Sequence, residues 1–250
     1  MNLQPPALEV RNLTKVFDKP AVEGLNLRIE AGEFYALLGP NGAGKTTTLK
    51  IVAGLLHPNA GTVKVFGIDA LGDPIAAKQL IAWVPDEPMI YDKLTPLEYL
   101  EFVAGLWGMD APRAEQRARE LIEWLGLGPN AHDRCQGFSR GMRQKVALAG
   151  ALVHDPRLLI LDEPLTALDA GSARQVKEVL AERREGGVAV IMTTHILEVA
   201  ERMAERIGVI NKGRLIAEGT LEELRGQAGP VGDSLEDIFL HLVAEKSGTA

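Results

Sequence analysis

Three short stretches carry residue types that could do chemistry. The first is GPNGAGKT, from Gly39 to Thr46, which fits the pattern G-x-x-x-x-G-K-[ST]. It follows an apolar run, FYALL, and precedes a helix-forming one. Gly39, Gly42 and Gly44 let the backbone wrap closely and turn its N–H groups inward, and a helix N-terminus behind the loop adds its positive dipole end. Lys45 is placed to reach the β and γ phosphates of a nucleotide, and Thr46 to offer Mg²⁺ a hydroxyl. The competing reading is a Gly-rich turn with an exposed lysine. The second stretch is LLILDEP, an apolar strand ending in Asp162 and Glu163. A carboxylate leaving a buried strand beside a phosphate loop is where Mg²⁺ needs one, and Asp162 takes that role, through water. Glu163 comes one residue later and points elsewhere, placed to orient or deprotonate an attacking water. The bland alternative is a strand end and a turn before Pro164. The third stretch is GFSRGMRQKVALAG, residues 137–150. Ser139 is an N-cap and Gly141 a bare amide, so the chain carries a second helix start poised for an anion.

The chain that must position these groups has 250 residues, 46% hydrophobic and 24% charged, enough for one large domain or two small ones with a substantial core. A net charge of −7 argues against general nucleic-acid binding. Cys135 is the single cysteine, so an intrachain disulfide is excluded. His132 lies near it, but no second Cys or His follows at zinc spacing, and a reducing compartment fits. MNLQPPALEV lacks the basic start and apolar stretch of a signal peptide. No window approaches the ~18 apolar residues of a membrane span. Service at a membrane is therefore expected to go through a partner.

ALEVRNLTKVF and VEGLNLRIE alternate as two strands of an antiparallel pair. FYALLGP reads as a short buried strand leading through the loop into a helix from about Lys45 to Leu55. GTVKVFG and IAWVPD are further strands. LTPLEYLEFVAGLWG opens with Thr95, Pro96 and Glu98, a capping box with proline at the first helical position. Asp110 and Pro112 open APRAEQRARELIEWLGL. RLLILDEP and VAVIMTTH are apolar enough for parallel strands covered on both faces. Helices are expected at about 171–185 and 196–205, a hairpin turning at Lys212–Gly213, and a last helix capped by Ser234. The expected architecture is an α/β P-loop NTPase core with an N-terminal antiparallel β subdomain and an inserted helical subdomain at about 90–150.

These stretches, in this order, resemble the ATP-binding subunits of ATP-binding-cassette (ABC) transporters, from about Leu8 to Glu223. GPNGAGKT looks like the Walker A loop and LLILDE like Walker B. FSRGM stands at the signature position, LTALD at the D-loop and His195, in TTH, at the switch histidine. The resemblance implies a single ATPase domain over 1–225 with a short C-terminal helical tail over 226–250. It implies ATP held by Gly39, Pro40, Asn41, Gly42, Ala43, Gly44, Lys45, Thr46 and Thr47, and Mg²⁺ held by Thr46 and Asp162. Glu163, His195 and Lys45 would serve catalysis. Phe17 stands where an aromatic stacks on adenine, although a core role is its alternative; His195 has a structural role as its alternative. In the family two cassettes pack head to tail, so Ser139 and Gly141 are implied contacts to the γ-phosphate of the partner's ATP. The second cassette is expected from a homodimer, with a heterodimer as the alternative.

The sequence departs from the family's pattern at two places. Phe138, Ser139, Arg140, Gly141 and Met142 replace Leu-Ser-Gly-Gly-Gln, and Arg140 either adds a cation near phosphate or points to solvent. Asp86, in WVPDEP, stands where the family has a glutamine that contacts metal and water; as an ionised carboxylate it only accepts hydrogen bonds, and it is a third candidate metal ligand. Met89, Ile90, Tyr91 and Leu94 read either as core or as a surface for a membrane subunit. The implied function is a peripheral ATPase on the cytoplasmic face of the cell membrane. It would power transport, of bacterial exporter type, through a multi-span membrane subunit, with no nucleic-acid partner. Two other classes remain: a soluble ABC-type ATPase acting on ribosomes or DNA, and an ATP-dependent interaction switch.

Overall fold

Sequence alternation separates two sheets. The structure is a computed structural model that describes residues 5–166, 168–229, 232 and 234–247, with side chains as far as 244. Ala167 of LTALD and the first four residues of MNLQPPALEV lie outside the described residues. β1 (Leu8–Val16) and β2 (Pro20–Ile29) pair antiparallel; β4 (Ala60–Val65) flanks β1 and β5 (Ile68–Asp69) flanks β4, giving the order β2-β1-β4-β5. β3 (Phe34–Leu38) leaves this sheet for the second, whose order is β10-β9-β3-β8-β7-β6. There β6 (Ile81–Val84), β7 (Leu158–Asp162), β8 (Ala189–Thr193), β3 and β9 (Arg206–Asn211) run parallel, and β10 (Arg214–Gly219) closes the edge antiparallel to β9.

Both faces of the parallel strands are covered, which is why they read as unbroken apolar runs. Leu159, Leu161, Val190 and Met192 face a core shared with the helices, while Leu158, Ile160, Ala189 and Ile191 face the antiparallel sheet. The helices are α1 (Lys45–Val52), α2 (Pro74–Gln79), α3 (Pro96–Leu106), α4 (Ala111–Trp124), α5 (Arg140–Leu152), α6 (Ala170–Glu185), α7 (Leu197–Met203), α8 (Leu221–Ala228) and α9 (Leu235–Ser247). α3, α4 and α5 pack on one another, and Leu100, Leu121 and Val146 are buried among them. The predicted capping box at Thr95 and Glu98 forms, and Asp110 and Ser139 cap α4 and α5. Ser234 Oγ accepts from the Asp237 N–H, and α9 buries Leu235, Ile238 and Leu242 against β3 and β9 residues.

Two local expectations need correction. α1 stops at Val52 instead of running to about Leu55. Gly54, at φ 67°, takes a left-handed conformation, and the N–H groups of Gly54 and Leu55 return to the carbonyls of Ile51 and Lys50 in a glycine-terminated helix end. Neither α2 nor α8 is among the expected helices, although Asp73 and Pro74 open the first and Thr220 and Glu223 form a capping box on the second.

Candidate functional site

The carboxyl ends of β3, β7 and β8 lie side by side, the edge at which open α/β sheets bind ligands. β3 ends at Leu38, and the loop from Gly39 runs to Gly44, the N-cap of α1, at φ 107°. A side chain would not fit at either end of this loop. A Cβ at Gly39 would strike the Ile210 carbonyl, and one at Gly44 would strike the Ala21 carbonyl. The β9–β10 turn braces the loop, with Gly213 N–H donating to Ala43 O at 2.8 Å and Glu23 N–H to Gly213 O at 2.8 Å. Lys212 and Gly213 both take positive φ, as the predicted hairpin turn requires.

Gly42, Ala43, Gly44, Lys45, Thr46 and Thr47 line one cleft with Asn41, Ala21, Asp86, Asp162 and Glu163. Lys45 Nζ donates to the carbonyls of Gly39 (2.7 Å) and Pro40 (3.2 Å). Its burial pulls the ammonium below the ordinary lysine value, and the Glu163 and Asp162 carboxylates oppose that shift. The ammonium is thus a partly desolvated donor held against the loop's own carbonyls.

Strand register sets the acidic pair. Asp162 lies opposite Thr193, and Thr193 Oγ1 donates to the buried Asp162 carboxylate at 2.5 Å. Glu163 follows at φ 51°, a conformation that non-glycine residues adopt at a cost and that recurs at working sites. Its N–H bonds to Thr193 O (3.2 Å) and Thr193 Oγ1 (3.1 Å), and its carboxylate accepts from His195 N–H (3.2 Å) and Thr166 Oγ1 (3.3 Å). His195 Nδ1 stands 2.8 Å from Glu163 Oε2, where it donates to the carboxylate. Thr193, which no local motif marks, holds both acids. Thr193→Val removes the hydroxyl and leaves the buried carboxylate short of a donor. We expect a loss of about 1–3 kcal/mol of stability, read from the urea midpoint without nucleotide; an unchanged midpoint would mean the bond contributes nothing.

The oxygen-rich cleft suits a hard cation. Asp162, Asp86 and Thr46 offer carboxylate and hydroxyl oxygens there. No group of three or more His, Cys, Asp and Glu among the described residues forms a complete cage. Mg²⁺ is commonly held in this way, by one or two protein oxygens plus phosphates and water. Ser139 and Gly141 do not line this cleft; they sit at the start of α5, with Ser139 Oγ accepting from Met142 N–H. Phe17 is 57% exposed, which rules out the core alternative, and Lys15 Nζ stands 5.2 Å over its ring. Arg140 is about half exposed, and its guanidinium pairs at 2.8 Å with Asp86 of its own chain, which lines this cleft. Met89 and Tyr91 are exposed, whereas Ile90 and Leu94 are half-buried. No described helix is long and apolar enough to cross a membrane.

A family model described as "ABC transporter" matches residues 22–166, and an AAA domain model matches residues 134–201. The chain is 42% identical over 232 residues to the daunorubicin/doxorubicin resistance ATP-binding protein DrrA of Streptomyces peucetius, covering 92% of this chain and 70% of that one. It is 41% identical over 213 residues to the Nod factor export ATP-binding protein I of Burkholderia lata, covering 85% and 70%. A solved dimer of the ATP-binding cassette MJ0796, in a post-hydrolysis state with ADP and Pi, superposes with a TM-score of 0.79. It is 28% identical and covers 85% of this chain and 98% of that one.

Proposed function

The chain belongs to the ABC transporter family of ATP-binding proteins and is an ATPase, and from that premise we propose how its residues share the work. The observation that carries the reading is the convergence of Lys45, Asp162 and Glu163 on one cleft, with His195 bonded to Glu163. The loop from Gly39 to Thr47 cradles the phosphates of ATP, and Lys45 stabilises charge on the transferring phosphoryl group. Thr46 and Asp162 would hold Mg²⁺, which would supply positive charge against the negative charge of the phosphates. Glu163 accepts the proton of the attacking water, and His195 orients Glu163 and contacts the γ-phosphate. Phe17 gives adenine a stacking face. Ser139 and Gly141 serve the ATP of a second cassette; the dimeric state of a similar solved cassette supports the pairing. One ATPase domain contains the helical subdomain at about 90–150 and extends past the expected boundary at 225, which would cut α8 (Leu221–Ala228); the terminal α9 packs on the same core.

The output is transport, in the export direction, through a multi-span membrane subunit at the cytoplasmic face; the similarity to a Nod factor export protein supports the direction. An apolar groove of about 510 Å³ offers that subunit a seat, lined by Leu55, Trp83, Met89, Tyr99, Val103 and Trp107. Met89 is 87% exposed at its mouth. Met89→Glu should leave phosphate release by the isolated chain unchanged and remove a multi-span membrane protein from the detergent-solubilised pull-down. Ribosomes or DNA recovered in its place would favour the soluble ATPase class.

A further inference from the structure

Asp86, Asp162 and Glu163 bring three carboxylates to a cleft with one ammonium, Lys45, and a nucleoside triphosphate adds more negative charge. Asp162 and Glu163 are engaged by Thr193 and His195. Asp86 is engaged from outside the cleft. Arg140 Nη2 donates to Asp86 Oδ1 at 2.8 Å and to the Asp86 carbonyl at 3.4 Å. Arg140 is the first residue of α5, directly after the capping Ser139. One turn further on, Arg143 pairs with Asp92 at 2.6 Å. The N–H groups of Cys135 and Gln136 donate to the carbonyls of Leu94 and Asp92, each at 2.9 Å. The segment from 86 to 94 is therefore strapped to the start of α5 and the turn before it, and of the two ion pairs only Asp86–Arg140 reaches the nucleotide cleft.

We propose that Asp86 and Arg140 act as a coupled positioning pair, in which Arg140 neutralises Asp86 at the rim of the chain's own nucleotide cleft and ties the start of α5 to the charge in that cleft. The inference rests on reading the cleft as the ATP site. Both side chains are about half exposed, so the bond adds little to fold stability. Its effect falls on the ligand. Without Arg140, Asp86 is an unbalanced carboxylate beside a polyphosphate. With Arg140 in place, the residue next to Ser139 is held while the cleft fills, so the segment assigned to the partner's ATP is registered against the chain's own site.

A double-mutant cycle on the full chain tests this, with adenylyl imidodiphosphate and excess Mg²⁺ titrated by calorimetry. Arg140→Gln is expected to weaken binding by about 3- to 10-fold through the exposed charge of Asp86. Asp86→Asn in that background should bring affinity back to within about twofold of wild type. Arg143→Gln breaks the other ion pair without touching the cleft and should change affinity by less than about twofold. Melting temperatures without nucleotide should agree to about 2 °C, separating binding from folding. An unchanged affinity in Arg140→Gln, or a double variant as weak as Arg140→Gln alone, would overturn the proposal. So would Asp86→Asn raising the Mg²⁺ requirement equally with and without Arg140, which would make Asp86 an independent metal ligand. Wild-type protein that bound no nucleotide would instead overturn the proposed function itself.

Discussion

Glu163→Gln is expected to keep ATP bound and nearly stop its turnover. The substitution keeps the size of the side chain and one carbonyl oxygen, so a bond from His195 Nδ1 survives at about its present 2.8 Å. It removes the carboxylate that would take a proton from water, and loss of a general base costs ~10²–10⁴-fold. It also removes one negative charge from a cleft that holds Asp86 and Asp162, so nucleotide binding should hold or tighten. Phosphate release and ATP binding measured on the same preparation separate the two effects. Phosphate release near the wild-type rate, with ATP bound, would show that Glu163 is not the base and that the cleft works through another residue. The unusual backbone of Glu163 adds a check. At φ 51° the position is set by Thr193, whose carbonyl and hydroxyl both accept from its N–H, so the variant should place its amide where the carboxylate stood.

What was legible in the sequence was local. A glycine-rich loop between an apolar strand and a helix is encoded within a dozen residues, and the structure builds it in place. Asp162 and Glu163 were readable because a buried strand ends there. Their support was not readable. Thr193 lies 31 residues beyond Asp162 and reaches it only through the parallel register of β7 and β8. The brace from Gly213 to Ala43 joins the two ends of the core, and nothing at either position signals the other. The Asp86–Arg140 bond has the same character: each residue stood out alone, and 54 positions of chain separate them. Burial decided what pattern left open, since Phe17 and Met89 are exposed while Ile90 packs against the helical core. α8 differs from these, because its Thr220–Glu223 capping box is a local signal present in the sequence.

The central claim is that the second helix start serves another chain's ATP, and a mixed dimer tests it most directly. Lys45→Ala removes the ammonium at the mouth of the loop. Ser139→Arg removes the α5 cap, worth about 1 kcal/mol, and fills the space for phosphate with a long side chain. Each variant alone gives a homodimer whose two sites carry the same defect, so both should be inactive. Co-expressed with different tags and purified through both, the mixed dimer has one site with both defects and one with neither, if the site is shared. ATP hydrolysis should then rise well above either homodimer, toward half the wild-type rate if each site works independently. If each signature serves its own chain, every site in the mixed dimer carries a defect. Hydrolysis that stays at the level of the single variants, in dimers confirmed by both tags and binding ATP at the intact loop, would contradict the shared site.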